Sequence, residues 1–523
     1  MLRIVLTAAA LACSTGLALA QDNRLPDIGS SAGELITPAK EAEYGAMLLA
    51  QLRHYDYLLE DPLVDSWLDT LGQRIAGASD DPRRGYTFFM MRQREINAFA
   101  TLGGYVGVNS GLVLAAERED EVAGVLAHEV AHVTQEHVLR GVERAQRDQL
   151  PILLAMLGAV AVANASGGNS ADDAAQAAIV GAMGLAQQRQ IDYTRSNESE
   201  ADRLGIQALA RAGFDPAGMA DFFAKMHARS RTNAASLYGE TPDYLRTHPM
   251  TTTRITEAKE RIERVRAAGP SFTTDLRSDN PLLPGGIDIS TRLANGRTGV
   301  FELARERLRV LSAPTPAEAI REYEALARAR SLTAAERYGM AVAQLQAGQA
   351  RRALPALAAL AGQRPGDAWI ELTLAEAEAR AGDHGAADAR FEALLRKTPT
   401  SRPVALTYAR ALAERGNATA GRRAQAVLRP LMAGAGDDAV FQRTFARASE
   451  VAGDLVRAGE AHAEAAYLGG RPELALVQLN NLKKREDLDY YARARVEARI
   501  AAITPTVLEL RRQGIRDEDA KRH

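Results

Sequence analysis

The sequence predicts a mainly α protein in two parts. The first is an α+β domain with a small β-hairpin or sheet beside a histidine-bearing helix, and the second is an all-α repeat solenoid. Three observations predict this. Apolar residues recur at helical spacing through 38–77 and through EREDEVAGVLAHEVAHV (117–133). YTFFMM (86–91) and NAFATLGGYVGVNSGLV (97–113) read as strands between those helices. Beyond a Pro- and Gly-rich stretch, a 34-residue period sets in.

Taken in order, the chain of 523 residues begins with MLRIVLTAAALACSTGLALA, which has Arg3, an apolar run and Ala18-Leu19-Ala20. That is the pattern of a secretory signal over 1–20, with export to the periplasm as the expectation. A lipoprotein at Cys13 and an uncleaved anchor are the alternatives. Cys13 is the only cysteine, so the mature chain has neither disulfides nor a thiolate metal site. A flexible lead over 21–37 precedes helices in which Tyr44, Leu48, Leu52, Tyr55 and Leu59 form a stripe. Strand YTFFMM follows, then a hairpin turning at Gly103-Gly104 immediately before the HEVAH helix. LPILLAMLGAVAVA (150–163) is too short to span a bilayer. With the second apolar run up to 187 it reads as a buried helical hairpin, with a flap or a membrane-touching element as alternatives. The first domain is expected over 38–267 and a linker over 268–299. Repeats run over 300–510, and a charged tail over 511–523. Net charge of −2 and ordinary composition give no footprint for nucleic acid.

The repeats are legible in LQAGQ (345–349), ARAGD (379–383) and AERGN (413–417), each 34 residues after the last. Small residues before each turn resemble tetratricopeptide repeats, although the Trp and Tyr signature is mostly missing. Such units stack into a solenoid with a concave groove, and residues 300 to about 500 are expected to fold alone.

The chemistry sits in VLAHEVAHVTQEH (125–137). His128 and His132 are four apart on one helix face, and both imidazoles can reach one ion. Glu129 stands where a general base would hold water, the H-E-x-x-H arrangement. His137, five residues on, points away from the pair on a continuous helix and reads as a surface or packing residue. Glu136 is about 12 Å of helical rise from His128 and is a poor ligand. Two histidines do not complete a zinc site, and the third ligand is expected from NESEADRLG (197–205). There Glu198 and Asp202 share a face, with Glu200 on the other side. Glu198 is assigned as ligand, and Asp202 as the partner that orients a ligating histidine.

HEVAH, NESEAD and THPMTTTRI (247–255) together resemble the gluzincin family of HtpX and the CAAX prenyl proteases. With the signal and repeats, the chain is similar to the BepA (YfgC) type of periplasmic metalloprotease. The resemblance implies one zinc on His128, His132 and Glu198, with Glu129 as base. It implies that His248 approaches the zinc and takes the water position, and that Arg254 lies near the substrate or oxyanion. The hairpin, through Asn97, Ala98 and Phe99, is expected to offer an edge strand to an extended substrate. The implied function is a periplasmic zinc endopeptidase acting on misfolded or misassembled outer-membrane proteins. The repeats would bind clients or the outer-membrane assembly machinery, and peripheral membrane contact is left open. The alternative is a largely latent protease that works chiefly as an assembly chaperone or scaffold.

Overall fold

The computed structural model describes residues 36–141, 143–144, 194–234, 243–267 and 297–512. The signal, the lead apart from its last two residues, the apolar runs at 150–187, most of the 268–299 linker and all but the start of the tail lie outside the described residues.

Two helices open the structure, Pro38–His54 and Pro62–Gly77. Thr37 caps the first, and the Asp61 carboxylate caps the second by accepting from Leu63 N and Val64 N at 3.1 Å. The stripe read from sequence is not the buried face of the first helix. Tyr44 and Tyr55 are exposed, and Glu41 and Gly45 are buried instead. The second helix is amphipathic as expected and buries Leu68, Leu71 and Ile75 against the sheet.

The sheet has three strands in the order β1-β3-β2: β1 Thr87–Met91, β2 Ala98–Ala100 and β3 Tyr105–Asn109. β2 and β3 are the expected hairpin, and Gly103 and Gly104 turn it at φ +73° and +80°. β1 pairs with β3 in parallel, leaving β2 at an edge. A short helix, Ser110–Ala115, intervenes between β3 and the HEVAH helix, which the sequence reading had joined directly.

The HEVAH helix spans Glu119–Thr134 and is buried along almost its whole length. Its acidic first turn is an anchor rather than a solvated start. Glu119 accepts from Trp67 Nε1 at 2.8 Å, Asp120 from Asp215 N at 3.0 Å, and Glu121 from Lys225 Nζ at 2.8 Å. Each also sits at the positive end of the helix dipole. Gly124 lets helix Ala217–Ala234 lie against it. A Cβ there would come within 2.7 Å of Met219 Cα. These contacts fix the rotation and height of the helix, and with them the two histidines.

From Phe301 onward the described chain is stacked helices. Ala334–Gln346, Ala368–Ala381 and Arg402–Ala413 begin at the 34-residue period, and the next step, to Ala439, is longer. The apolar core is continuous from the sheet into these helices: Leu71, Val108 and Leu126 belong to one cluster with Leu308, Tyr338 and Leu374. At the junction Arg307 donates to both oxygens of Asp61, at 2.8 and 2.6 Å, with both side chains buried. Helix Phe301–Leu311 therefore shares its buried face with the preceding domain, which tells against a fragment from residue 300 folding alone. The last helices carry a separate small cluster that includes Leu474, Leu479, Val496 and Ile503. Helix Pro38–His54 meets the far end of the stack. Arg53 donates to Leu468 O, and Gly470, at φ +72°, passes so near Ala50 that a Cβ would lie 2.7 Å from its carbonyl.

Candidate metal centre

His128 and His132 stand one turn apart, with their Nε2 atoms 3.0 Å from each other. The third element is helical over 194–211 and brings two carboxylates to them. Glu198 lies 3.4 Å from His128 Nε2 through one oxygen and 3.4 Å from His132 Nε2 through the other. His248 comes from the end of the short helix Asp243–Thr247, its Nδ1 3.0 Å from Glu198 and 3.3 Å from His128 Nε2. One donor atom from each of His128, His132, Glu198 and His248 lies within 4.8 Å of the others. All four residues are buried. The structure thus brings these sequence-predicted residues to one point.

Asp202, one turn beyond Glu198, places Oδ1 3.0 Å from His128 Nδ1. Arg254 reaches these same two carboxylates. Its Nε and Nη2 donate to the two oxygens of Asp202, both at 2.8 Å, and Nη1 lies 2.8 Å from Glu198 and 2.9 Å from Pro249 O. At 7 % exposure, with three nitrogens engaged, the guanidinium braces the carboxylates. Asn97, Ala98 and Phe99 lie at the sheet edge. Asn97 O and Thr101 N bond inward to Asn109 N and Tyr105 O, so the pleat turns the backbone groups of Ala98 and Ala100 outward.

The donor set suits a cation. With neutral imidazoles, three buried carboxylates (Glu129, Glu198, Asp202) face one guanidinium, a net charge of −2. Burial opposes charge on His128, yet Asp202 and Glu198 overcome it and pull its pKa up to about 10. Burial holds His132 down, to about 3, against the neighbouring Glu198. Both oxygens of Glu129 are buried without a hydrogen-bond partner among the described residues, and His248 Nε2 lies 3.5 Å away. A carboxylate with no hydrogen bond, next to a member of that donor cluster, fits a metal with a water to hold.

One residue was misplaced by the sequence reading. His137 is buried, its Nδ1 2.7 Å from His132 Nδ1 and its Nε2 3.1 Å from Glu200. Glu200 also accepts from Arg140 at 2.9 Å. The cause is local. The helix ends at Thr134, and Glu136 takes φ +52°, which folds the chain back so that His137 returns to His132. A continuous helix would have sent it to the far side. Glu136, a poor ligand by distance in the sequence reading, lies 3.5 Å from Arg84 and is not in the donor cluster.

The comparisons with known proteins agree with this geometry. Residues 62–262 match the model of peptidase family M48. The chain is 30% identical over 499 residues to the beta-barrel assembly-enhancing protease of Yersinia pestis, covering 93% of this chain and 92% of that one. The chain belongs to the M48 peptidases. It is also 30% identical over 482 residues to the Escherichia coli K12 beta-barrel assembly-enhancing protease, 91% of this chain and 90% of the relative. A putative protease of that name in Vibrio cholerae is 42% identical over 246 residues, 47% of this chain and 49% of the relative. As an M48 member the chain is a metalloprotease, and its matched segment spans every residue of the cluster. No helix among the described residues is long and apolar enough to cross a membrane.

Proposed function

We propose that this M48 peptidase is a zinc endopeptidase of the periplasm that cleaves misfolded or misassembled outer-membrane β-barrel proteins. The observation that carries the reading is the buried convergence of His128, His132, Glu198 and His248, the last of which stands 3.5 Å from a Glu129 carboxylate that makes no hydrogen bond among the described residues. The names of relatives aligned along nine-tenths of the chain support the class of client.

His128, His132 and Glu198 would hold the zinc. When bound, the ion polarises a carbonyl and makes water more acidic. Glu129, which makes no hydrogen bond among the described residues, takes the proton of the attacking water and delivers it to the leaving amine. Asp202, braced by Arg254, holds His128 in one orientation. The outward groups of Ala100, at the less buried end of the edge strand, pair with an extended chain, a main-chain mode of recognition that suits unfolded clients. The stacked helices act as tetratricopeptide repeats that bind clients or the assembly machinery.

A second reading rests on His248. Its contacts with Glu198, His128 and Glu129 support a latch that keeps the protease latent while the repeats work as a scaffold.

The test is zinc content and cleavage together. Purified mature protein is expected to hold one zinc per chain and to cut an unfolded outer-membrane β-barrel protein. His132→Ala should lose the zinc and the cleavage. Full zinc occupancy in that variant, or cleavage that survives chelation, overturns the proposal.

A further inference from the structure

We infer that His137 is a positioning residue for the metal: it fixes the ring of His132 and selects the nitrogen that His132 presents. This rests on the metal-site reading above and extends it to a residue outside the H-E-x-x-H pattern.

A ligating histidine needs one nitrogen bare and the other carrying its proton into a hydrogen bond. Nε2 of His132 faces Glu198 and His128 in the cluster. Nδ1 must then be the N–H, and its partner is His137 Nδ1 at 2.7 Å. Two N–H groups cannot point at each other, so His137 accepts at Nδ1. Its own proton is then on Nε2, where Glu200 receives it at 3.1 Å. Arg140 donates to that same carboxylate oxygen at 2.9 Å and keeps it charged and in place. The chain of hydrogen bonds is fixed: His132 donates to His137, His137 donates to Glu200, and Arg140 donates to the same Glu200 oxygen from outside.

His128 has a counterpart. Its Nδ1 faces Asp202, which Arg254 grips. Each metal-facing imidazole is thus backed by a carboxylate and an arginine. His128 meets its carboxylate directly, whereas His132 meets its own through a second imidazole. The inserted ring is a spacer. His132 lies farther along the helix, Glu200 is on the opposite side of its helix from Glu198, and a direct bond between them would leave the gap that His137 fills. The left-handed turn at Glu136 makes the insertion possible, and a non-glycine residue held in that conformation is a cost that folds keep where function needs it.

The experiment measures zinc affinity by competition with a chromophoric chelator, on the full mature chain. His137→Ala is expected to weaken zinc binding by about 10- to 100-fold. His137→Gln, which restores an acceptor, should recover part of that loss. A merely structural role would lower thermal stability without this rescue. Glu200 is partly exposed, so Glu200→Ala tests the same chain with little risk to folding, and about a 3- to 10-fold loss is expected by the same principle. Cobalt-loaded His137→Ala should show a changed visible spectrum, since the His132 ring is no longer fixed. If both His137→Ala and Glu200→Ala bind zinc within twofold of the parent, the inference is overturned while the metal site stands. If the parent itself binds no zinc, the metal-site reading falls first, and the two failures are distinguishable.

Discussion

Arg254 grips both oxygens of Asp202 at 2.8 Å while its third nitrogen reaches Glu198, so one guanidinium bridges two carboxylates beside the histidines. This fork is planar and bidentate, a geometry that lysine cannot reproduce. Removing it leaves two buried carboxylates uncompensated. Arg254→Ala is expected to cost about 3–5 kcal/mol of stability and to weaken metal binding. Arg254→Lys should recover little. Thermal melts and zinc titrations check this. Lost turnover with an unchanged melt and unchanged zinc affinity would instead favour the role near substrate or oxyanion that the resemblance implies.

Glu129→Gln should keep the metal and lose cleavage. The amide has nearly the same shape but cannot take a proton, and general-base catalysis contributes about 10²- to 10⁴-fold. Zinc content by elemental analysis and single-substrate kinetics separate the two effects. Undiminished proteolysis would mean that another residue is the base.

His248→Ala should raise cleavage. Its imidazole stands 3.0 Å from Glu198 and 3.5 Å from Glu129, between the proposed third ligand and the proposed base. A catalytic zinc keeps one position open, and a fourth protein ligand would close it. Rates for parent and variant on an unfolded substrate decide the matter, and a clear fall in the variant would sink the latch.

Asp61 carries a pH signature. Burial alone would raise its pKa, but Arg307 and the helix amide of Val64 overcome this and hold it below the ordinary value of 3.8. A depressed carboxylate contributes stability that is present above the unfolded pKa and is lost as the pH falls through the folded one. Arg307→Ala should therefore destabilise the protein by about 3–5 kcal/mol at neutral pH, and by less below pH 4. Denaturant titrations at both pH values test it, and an equal loss at both would show that Asp61 is not the cause.

Much of this was legible in the sequence because its signals are local. The i, i+4 spacing of His128 and His132, the shared face of Glu198 and Asp202, and the period from 345 to 417 each need only helical geometry. Gly103-Gly104 marked the hairpin because the turn needs positive φ. What escaped depends on departures from regular geometry or on contacts distant in sequence. Nothing in TQEH announces that Glu136 leaves the helix, so His137 was sent to the wrong side. Arg254 was read from a resemblance, and only the packing of its helix against 194–211 reveals which carboxylates it meets. The stripe from Tyr44 to Leu59 held only in part for the same reason: Leu59 is buried but Tyr44 and Tyr55 are exposed, because the buried face of Pro38–His54 is set by β3 and by residues near 470.

The contact of Ala50 with Gly470 bears on how the molecule is made. The first helix of the structure is seated on two surfaces, residues 102–105 nearby and residues more than four hundred positions downstream. During synthesis the near surface exists long before the far one. The helix therefore completes its contacts late, and long-range closures of this kind are slow. A chain stopped short of residue 470 would leave its opening helix docked on one side alone.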